Sequence, residues 1–132
     1  MKKSLKNNSF KKNGANKKRR TYRRNKKENK KNTVVVGKIY ANWCGHCQNM
    51  ADDWNALKTD LAKRGGAFEF SEIEQTYEHT LLQAVNEKYL KKSPVKLALQ
   101  GGYPTLFKIK GGNLSYFEGN RTFEEMRDWY LQ

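Results

Sequence analysis

From Thr33 onward, apolar residues recur with periods that switch between those of strands and those of helices. Val34-Val35-Val36-Gly37-Lys38-Ile39-Tyr40 is β-branched and almost continuous, which predicts a strand covered on both faces. Cys47, Met50, Ala51, Trp54, Leu57 and Leu61 follow at helical spacing, and Gly65-Gly66 supplies the stop. Phe68 to Ile73 predicts a second short strand. Leu81, Leu82, Val85 and Tyr89 predict a second helix, closed by Ser93-Pro94. Thr105 to Lys110 and Leu114 to Glu118 flank Gly111-Gly112-Asn113, a β-hairpin signal. Thr122-Phe123-Glu124-Glu125 reads as a capping box, with the Thr122 hydroxyl and Glu125 carboxylate taking up orphan N–H groups. Phe123, Met126 and Tyr130 then make the buried stripe of a last helix. The order β-α-β-α-β-β-α describes an α/β domain with a mixed four-stranded sheet flanked by helices.

Residues 1–32 break this pattern. Their apolar groups are Met1, Leu5, Phe10, Ala15 and Tyr22, spaced with no period. The segment carries 15 Lys and Arg against one acid, Glu28, whereas residues 33–132 balance at 12 of each. So the whole net charge of +14 lies in the first quarter of the chain. Like charges with little apolar surface cannot offset chain entropy, and a disordered polybasic tail (1–32) ahead of a folded domain (33–132) is expected. No apolar run approaches the ~20 residues that span a bilayer. No secretory signal, transit-peptide pattern or retention motif is legible, so a non-secretory, intracellular location, in the nucleus or a virion, is expected. Two cysteines cannot build the framework of a disulfide-rich secreted domain.

The candidate chemistry sits at Trp43-Cys44-Gly45-His46-Cys47, where the first strand turns into the first helix. Two intervening residues let one helical turn bring both sulfurs within bonding reach. Cys44, at the helix N-terminus, meets unpaired N–H groups and the positive end of the helix dipole, which stabilise a thiolate. Cys44 is therefore the expected attacking sulfur and Cys47 the resolving one. His46, when protonated, adds a further stabilising charge.

At these residues the sequence resembles the thioredoxin superfamily, and its Cys-Gly-His-Cys variant resembles the protein disulfide isomerase branch. Gly101-Gly102-Tyr103-Pro104-Thr105 is similar to the family's loop in which a cis proline faces the dithiol. Tyr116-Phe117-Glu118-Gly119-Asn120-Arg121-Thr122 is similar to the stretch that precedes the last helix of isomerase domains. The resemblance implies a shortened thioredoxin fold, since only the basic segment precedes Thr33. It also implies protein thiol and disulfide substrates, no cofactor or metal, and a substrate-facing surface built from Trp43, Gly45, Tyr103 and Pro104. The segment from Tyr77 to Gly101 is longer than usual, so an extended helix or an added surface loop is expected there. Isomerase-type couples lie near about −180 mV and thioredoxin near about −270 mV, roughly 4 kcal/mol apart, and the histidine between the cysteines points to the oxidising end.

One departure concerns the position six residues before Cys44, where the family carries a buried acid and this chain has Lys38. A charged Lys38 beside Cys47, paired with Glu69 or Glu72, would favour thiolate and tune the couple towards oxidation. A strand twisted to bring Lys38 into solvent is the other reading. A zinc site would need His46 and His79 as added ligands, and His46 lies badly placed between the sulfurs. A passive disulfide closing so short a ring would stabilise little. In the tail, Lys17, Lys18, Arg19, Arg20, Arg23 and Arg24 suit an import signal, an anion-binding arm or solubilising disorder. Non-specific association with nucleic acid or another polyanion is the preferred role, because stacking groups are scarce. Small thioredoxin-like proteins of large DNA viruses resemble this layout. The body is expected to act as a monomer. A polyanion-binding or packaging protein built on a redox-inactive scaffold is the alternative.

Overall fold

The structure, a computed structural model, describes residues 33–132; the expectations placed on residues 1–32 lie outside the described residues. Strand β1 (Val34–Tyr40) leads into helix α1 (Gly45–Ala62), and strand β2 (Phe68–Glu74) into a 3-10 turn (Gln75–Tyr77) and helix α2 (Glu78–Tyr89). Strands β3 (Thr105–Lys110) and β4 (Asn113–Tyr116) precede helix α3 (Phe123–Leu131). The order matches the one predicted. The sheet runs β2-β1-β3-β4, with β1 parallel to β2 and antiparallel to β3, and β3 and β4 forming the hairpin.

Alternation along β1 divides the core into two layers. Val34 and Val36 face Met50, Trp54, Leu57 and Leu61 of α1 together with Met126 and Tyr130 of α3. Val35 and Ile39 face the opposite way, against Val85 of α2 and Leu90, Leu97, Phe107 and Ile109. Gly37 lies directly across from Phe107, and the Phe107 ring occupies the place of the missing side chain: a Cβ there would stand 2.0 Å from the ring tip. The Tyr130 hydroxyl, fully enclosed, reaches the Phe107 carbonyl at 3.0 Å and the Gly37 carbonyl at 3.1 Å. One α3 side chain thereby ties the two central strands together.

Three local features differ from the simplest expectation. The Thr122 hydroxyl accepts from the Glu125 N–H at 3.3 Å, but the Glu125 carboxylate turns to the backbone and side chain of Asn120, at 3.2 and 3.1 Å. The reciprocal half of the capping box thus pins the preceding turn. Between α2 and β3 the chain adds an irregular connection instead of more helix. Asn86 holds it by accepting from the Leu97 N–H at 2.7 Å and donating to the Leu97 carbonyl at 3.3 Å. Finally, α3 has no basic residue in its last turn, and β3 supplies the charge instead. The buried Lys108 donates to the Trp129 carbonyl and Lys110 to the Gln132 carbonyl, each at 2.8 Å, complementing the negative end of the helix.

The closeness of Gly37 and Phe107 makes a testable prediction. Gly37→Ala should destabilise the fold by about 1–3 kcal/mol through overpacking, and Phe107→Leu in the same chain should recover part of that loss. Urea unfolding of the two variants and their combination measures both effects; additive losses would refute the steric account.

Candidate active site

Both halves of the site hang from the sheet edge where β1 and β2 end and β3 begins. After Tyr40 the chain turns through Ala41 to Cys44, whose N–H donates to the Ala41 carbonyl at 3.1 Å. The Cys44 carbonyl then accepts the first helical bond, from the Gln48 N–H at 3.0 Å, so Cys44 is the N-cap of α1. The Gln48 side chain donates back to the Asn42 carbonyl at 2.8 Å, and the Asn42 N–H donates to Glu74 at the end of β2 at 3.3 Å. The turn is braced from both sides.

Cys44 and Cys47 are both free thiols, packed with Ala41 beneath Tyr40 and Tyr103. Cys44 retains 8% of its surface and Cys47 5%, so both are buried and exposure does not tell them apart. What separates the sulfurs is their donors. The Cys47 N–H and thiol, the His46 N–H and the Arg121 guanidinium hold Cys44 below the usual thiol range, against the pull of burial. Burial pushes Cys47 up, and the neighbouring Cys44 sulfur adds to that rise; the Ala41 N–H and Lys38 oppose it. The two thiols are thus pushed in opposite directions, Cys44 towards ionisation and Cys47 away from it.

The walls come from three segments. Tyr103-Pro104 is a cis peptide, and the Cys44 thiol donates to the Tyr103 carbonyl at 3.4 Å. The Tyr103 hydroxyl donates to Glu78 at 2.6 Å, and that bond, with burial, pushes its ionisation up to about 12. Trp43 is 68% exposed, meets the Tyr103 ring edge-on at 5.8 Å, and donates to Gln75 at 3.4 Å. Gly45 presents open space above the helix start. On the other flank, a cavity of about 250 Å³ is lined by His46, Asn49 and Arg121 among others. Beside it lies one of about 330 Å³ lined by Pro104, Glu118 and, again, Arg121. All the dithiol-flanking residues named from sequence therefore meet at one place. Arg121 was missed, although it stands in the Tyr116–Thr122 stretch, because nothing in the spacing shows that this turn folds back towards Cys44.

Lys38 points into the core, on the α1 side of β1, and keeps only 7% of its surface. The twisted-strand reading is thereby excluded. Its ammonium lies 4.3 Å from the Tyr40 ring centre and 5.2 Å from that of Trp54. Burial lowers Lys38, whereas Glu72, its partner in register, and Cys47 raise it. Glu72 itself is bound by Lys58 of α1. Burial pushes the Glu72 carboxyl up, but Lys58, the nearby Trp54 indole and Lys38 carry it below the usual range. The buried Trp54 N–H makes no hydrogen bond of standard geometry among the described residues, so its effect on Glu72 is that of a close dipole. Glu69, the other acid considered, belongs to a separate cluster with Tyr89 and Lys88.

Among the described residues, no group of three or more His, Cys, Asp or Glu side chains forms a metal cradle, and no helix is long and apolar enough to cross a membrane. Residues 15–132 match the family model described as Thioredoxin, a match that begins inside the polybasic segment. Over 98 residues the chain is 31% identical to protein disulfide isomerase-like 1-4 of Arabidopsis thaliana, covering 74% of this chain and 14% of that protein. It is 28% identical over 95 residues to the thioredoxin domain-containing protein 5 homolog of Drosophila melanogaster, covering 71% and 20%. The chain therefore spans a fifth or less of the length of these relatives. The first thioredoxin domain of mouse protein disulfide-isomerase A4 shares the fold, with a TM-score of 0.54 at 24% identity over 74% of this chain and 61% of that one. With the family match running through the dithiol, the cis-proline loop and the last helix, this chain belongs to the thioredoxin family.

Proposed function

We propose that the chain exchanges disulfides with protein substrates through Cys44 and Cys47. The observation that carries this reading is the placement of two free thiols at the start of α1, Cys44 at its N-cap against the cis Tyr103-Pro104 peptide and Cys47 in its first turn, with N–H donors lowering Cys44 and burial raising Cys47. In the reducing direction the Cys44 thiolate attacks a substrate disulfide and expels one substrate thiolate. Cys47 then attacks Cys44 Sγ, the internal disulfide forms, and the second substrate thiolate leaves. Run backwards, the same pair donates a disulfide. An extended substrate segment would lie across Gly45 and Pro104 with Trp43 and Tyr103 as one wall. His46 and Arg121 stand on the other flank.

Alkylation tests the assignment. Because its thiolate persists to lower pH, Cys44 should be labelled first under mildly acidic conditions, while Cys47 should require alkaline solution. Cys47→Ala should accumulate mixed disulfides and Cys44→Ala should not. Early labelling of Cys47, or failure of the wild-type chain to reduce insulin, would refute the exchange reading.

The charge of residues 1–32 supports a second element of the same proposal, association with nucleic acid or another polyanion. Replacing Lys17, Lys18, Arg19, Arg20, Arg23 and Arg24 with Gln should flatten the salt dependence of duplex DNA binding by about five units of slope. Thiol exchange on a small disulfide should be unaffected. An unchanged slope would locate DNA binding elsewhere.

A further inference from the structure

Among the described residues three polar side chains are buried: Lys38, Thr105 and Lys108. Thr105 has the Gln100 N–H and the Gly102 carbonyl as partners, and Lys108 caps α3. Their burial is explained by structure. Lys38 is held instead between ring faces, and the exchange reaction outlined above makes no use of it. Its position is specific. It follows Val34 and Val36 on the β1 face that packs against α1, where Cys47 and Trp54 lie on one buried stripe. Glu72 stands opposite it in register, and Lys58 holds Glu72 from α1. The charges run Lys58, Glu72, Lys38, and the Tyr40 ring that the Lys38 ammonium faces packs against the Ala41, Cys44 and Cys47 cluster, so that the ammonium and Cys47 interact through charge.

We infer that Lys38 is a positioning charge for Cys47: an ammonium fixed between Tyr40 and Trp54, partly offset by Glu72, that stabilises the Cys47 thiolate when it must attack the mixed disulfide. The inference rests on Cys44 and Cys47 being the exchanging pair. In that step the Cys47 thiol loses its proton to water and the thiolate attacks Cys44 Sγ. The Cys44–Cys47 bond forms while the bond from Cys44 to the substrate sulfur breaks. The electron pair leaves on the substrate thiolate, which is protonated from water. One proton is released and one taken up, and the dithiol is oxidised as the substrate disulfide is reduced. Lys38 exchanges no proton; it lowers the cost of the thiolate.

The groups that bear on Cys47 are Cys44 at the helix start, the Ala41 N–H, Lys38 and Tyr40 of β1, and Tyr103 before β3, while Glu72 of β2 and Lys58 of α1 face Lys38. Of these only Lys38 and Lys58 are cationic, and Lys58 is engaged by Glu72. An ammonium favours the reduced, thiolate-bearing pair, so its effect on the couple is towards oxidation.

The test uses the full chain with Cys44→Ser, so that Cys47 is the one remaining thiol, and follows its alkylation against pH by intact mass. Lys38→Met should move the profile to higher pH, slowing alkylation about tenfold at neutral pH. Glu72→Gln should move it to lower pH, because the ammonium loses its counter-charge. Loosening of the fold would speed alkylation in both variants, so opposite shifts cannot be a packing defect. Superimposable profiles, or shifts of one sign, overturn the inference; should Lys38→Met not fold, Lys38→Gln takes its place and must give the same shift to higher pH, opposite to that of Glu72→Gln. Since no substrate takes part, this outcome is separate from insulin reduction, which judges the exchange reading itself.

Discussion

Strand β1 is covered on both faces and paired along both edges, and this enclosure sets the terms for its neighbours. Every polar group it carries has to be answered from inside the protein. Its backbone pairs with β2 and β3. Where the Phe107 ring presses on it, the residue is Gly37, and the ring fills the space. The Tyr130 hydroxyl, buried at the same level, is satisfied by strand carbonyls, which keeps the burial of this aromatic side chain with its polar tip tolerable. The one charge in the strand, Lys38, is met by aromatic faces and by Glu72 across the parallel pair.

The same enclosure creates the site. A strand that cannot continue beyond Tyr40 without losing its cover must turn, and here it turns into a helix whose first free N–H groups face the Cys44 sulfur. The dithiol is therefore anchored to a strand that is paired along both edges of its length. Glu74, at the end of the adjacent strand, takes the Asn42 and Thr76 N–H groups together, joining the turn of the dithiol to the one below Tyr77. From the opposite direction the irregular segment after α2 delivers Tyr103-Pro104. That delivery depends on side chains far apart in sequence, Asn86 at Leu97 and the Tyr116 hydroxyl accepting from the Ala98 N–H.

Legibility followed the range of the forces involved. The strands and helices, the capping Thr122 and the helix-start position of Cys44 are local, and periodicity or a four-residue pattern exposes them. The partner of Glu125 was read as the neighbouring cap when it is Asn120, because two equally short reaches compete and only the turn geometry decides. The segment between α2 and β3 has neither period; its order comes from side-chain hydrogen bonds that no pattern announces. Arg121 acts on Cys44 from a remote position, through folding that places a turn beside it, whereas Glu72 was legible as one of two candidate partners of Lys38 and the strand register decides for it. Lys38 could be read either way from sequence, since a lysine in an apolar strand is as compatible with escape to solvent as with burial. The aromatic faces of Tyr40 and Trp54 are what make the buried placement tolerable.

The two sulfurs are served by different kinds of positive field, and the difference bears on the order of events in the proposed exchange. Cys44 is stabilised chiefly by backbone N–H dipoles, which the helix orients whether or not a substrate is present. Cys47 is held up by burial and, in addition, by Cys44 itself, both through the contact between the sulfurs and through charge. Those two contributions exist only while Cys44 carries a thiol or thiolate. Once its sulfur enters a mixed disulfide it is neutral and no longer a partner in that contact, so both contributions fall away together. What then acts on Cys47 is burial on one side and the Ala41 N–H and Lys38 on the other. The resolving thiol thus becomes easier to ionise at the stage when its thiolate is needed, and is discouraged from ionising before. A fixed ammonium suits that sequence: it is present throughout, and once Cys44 has reacted it and the Ala41 N–H have burial alone to oppose.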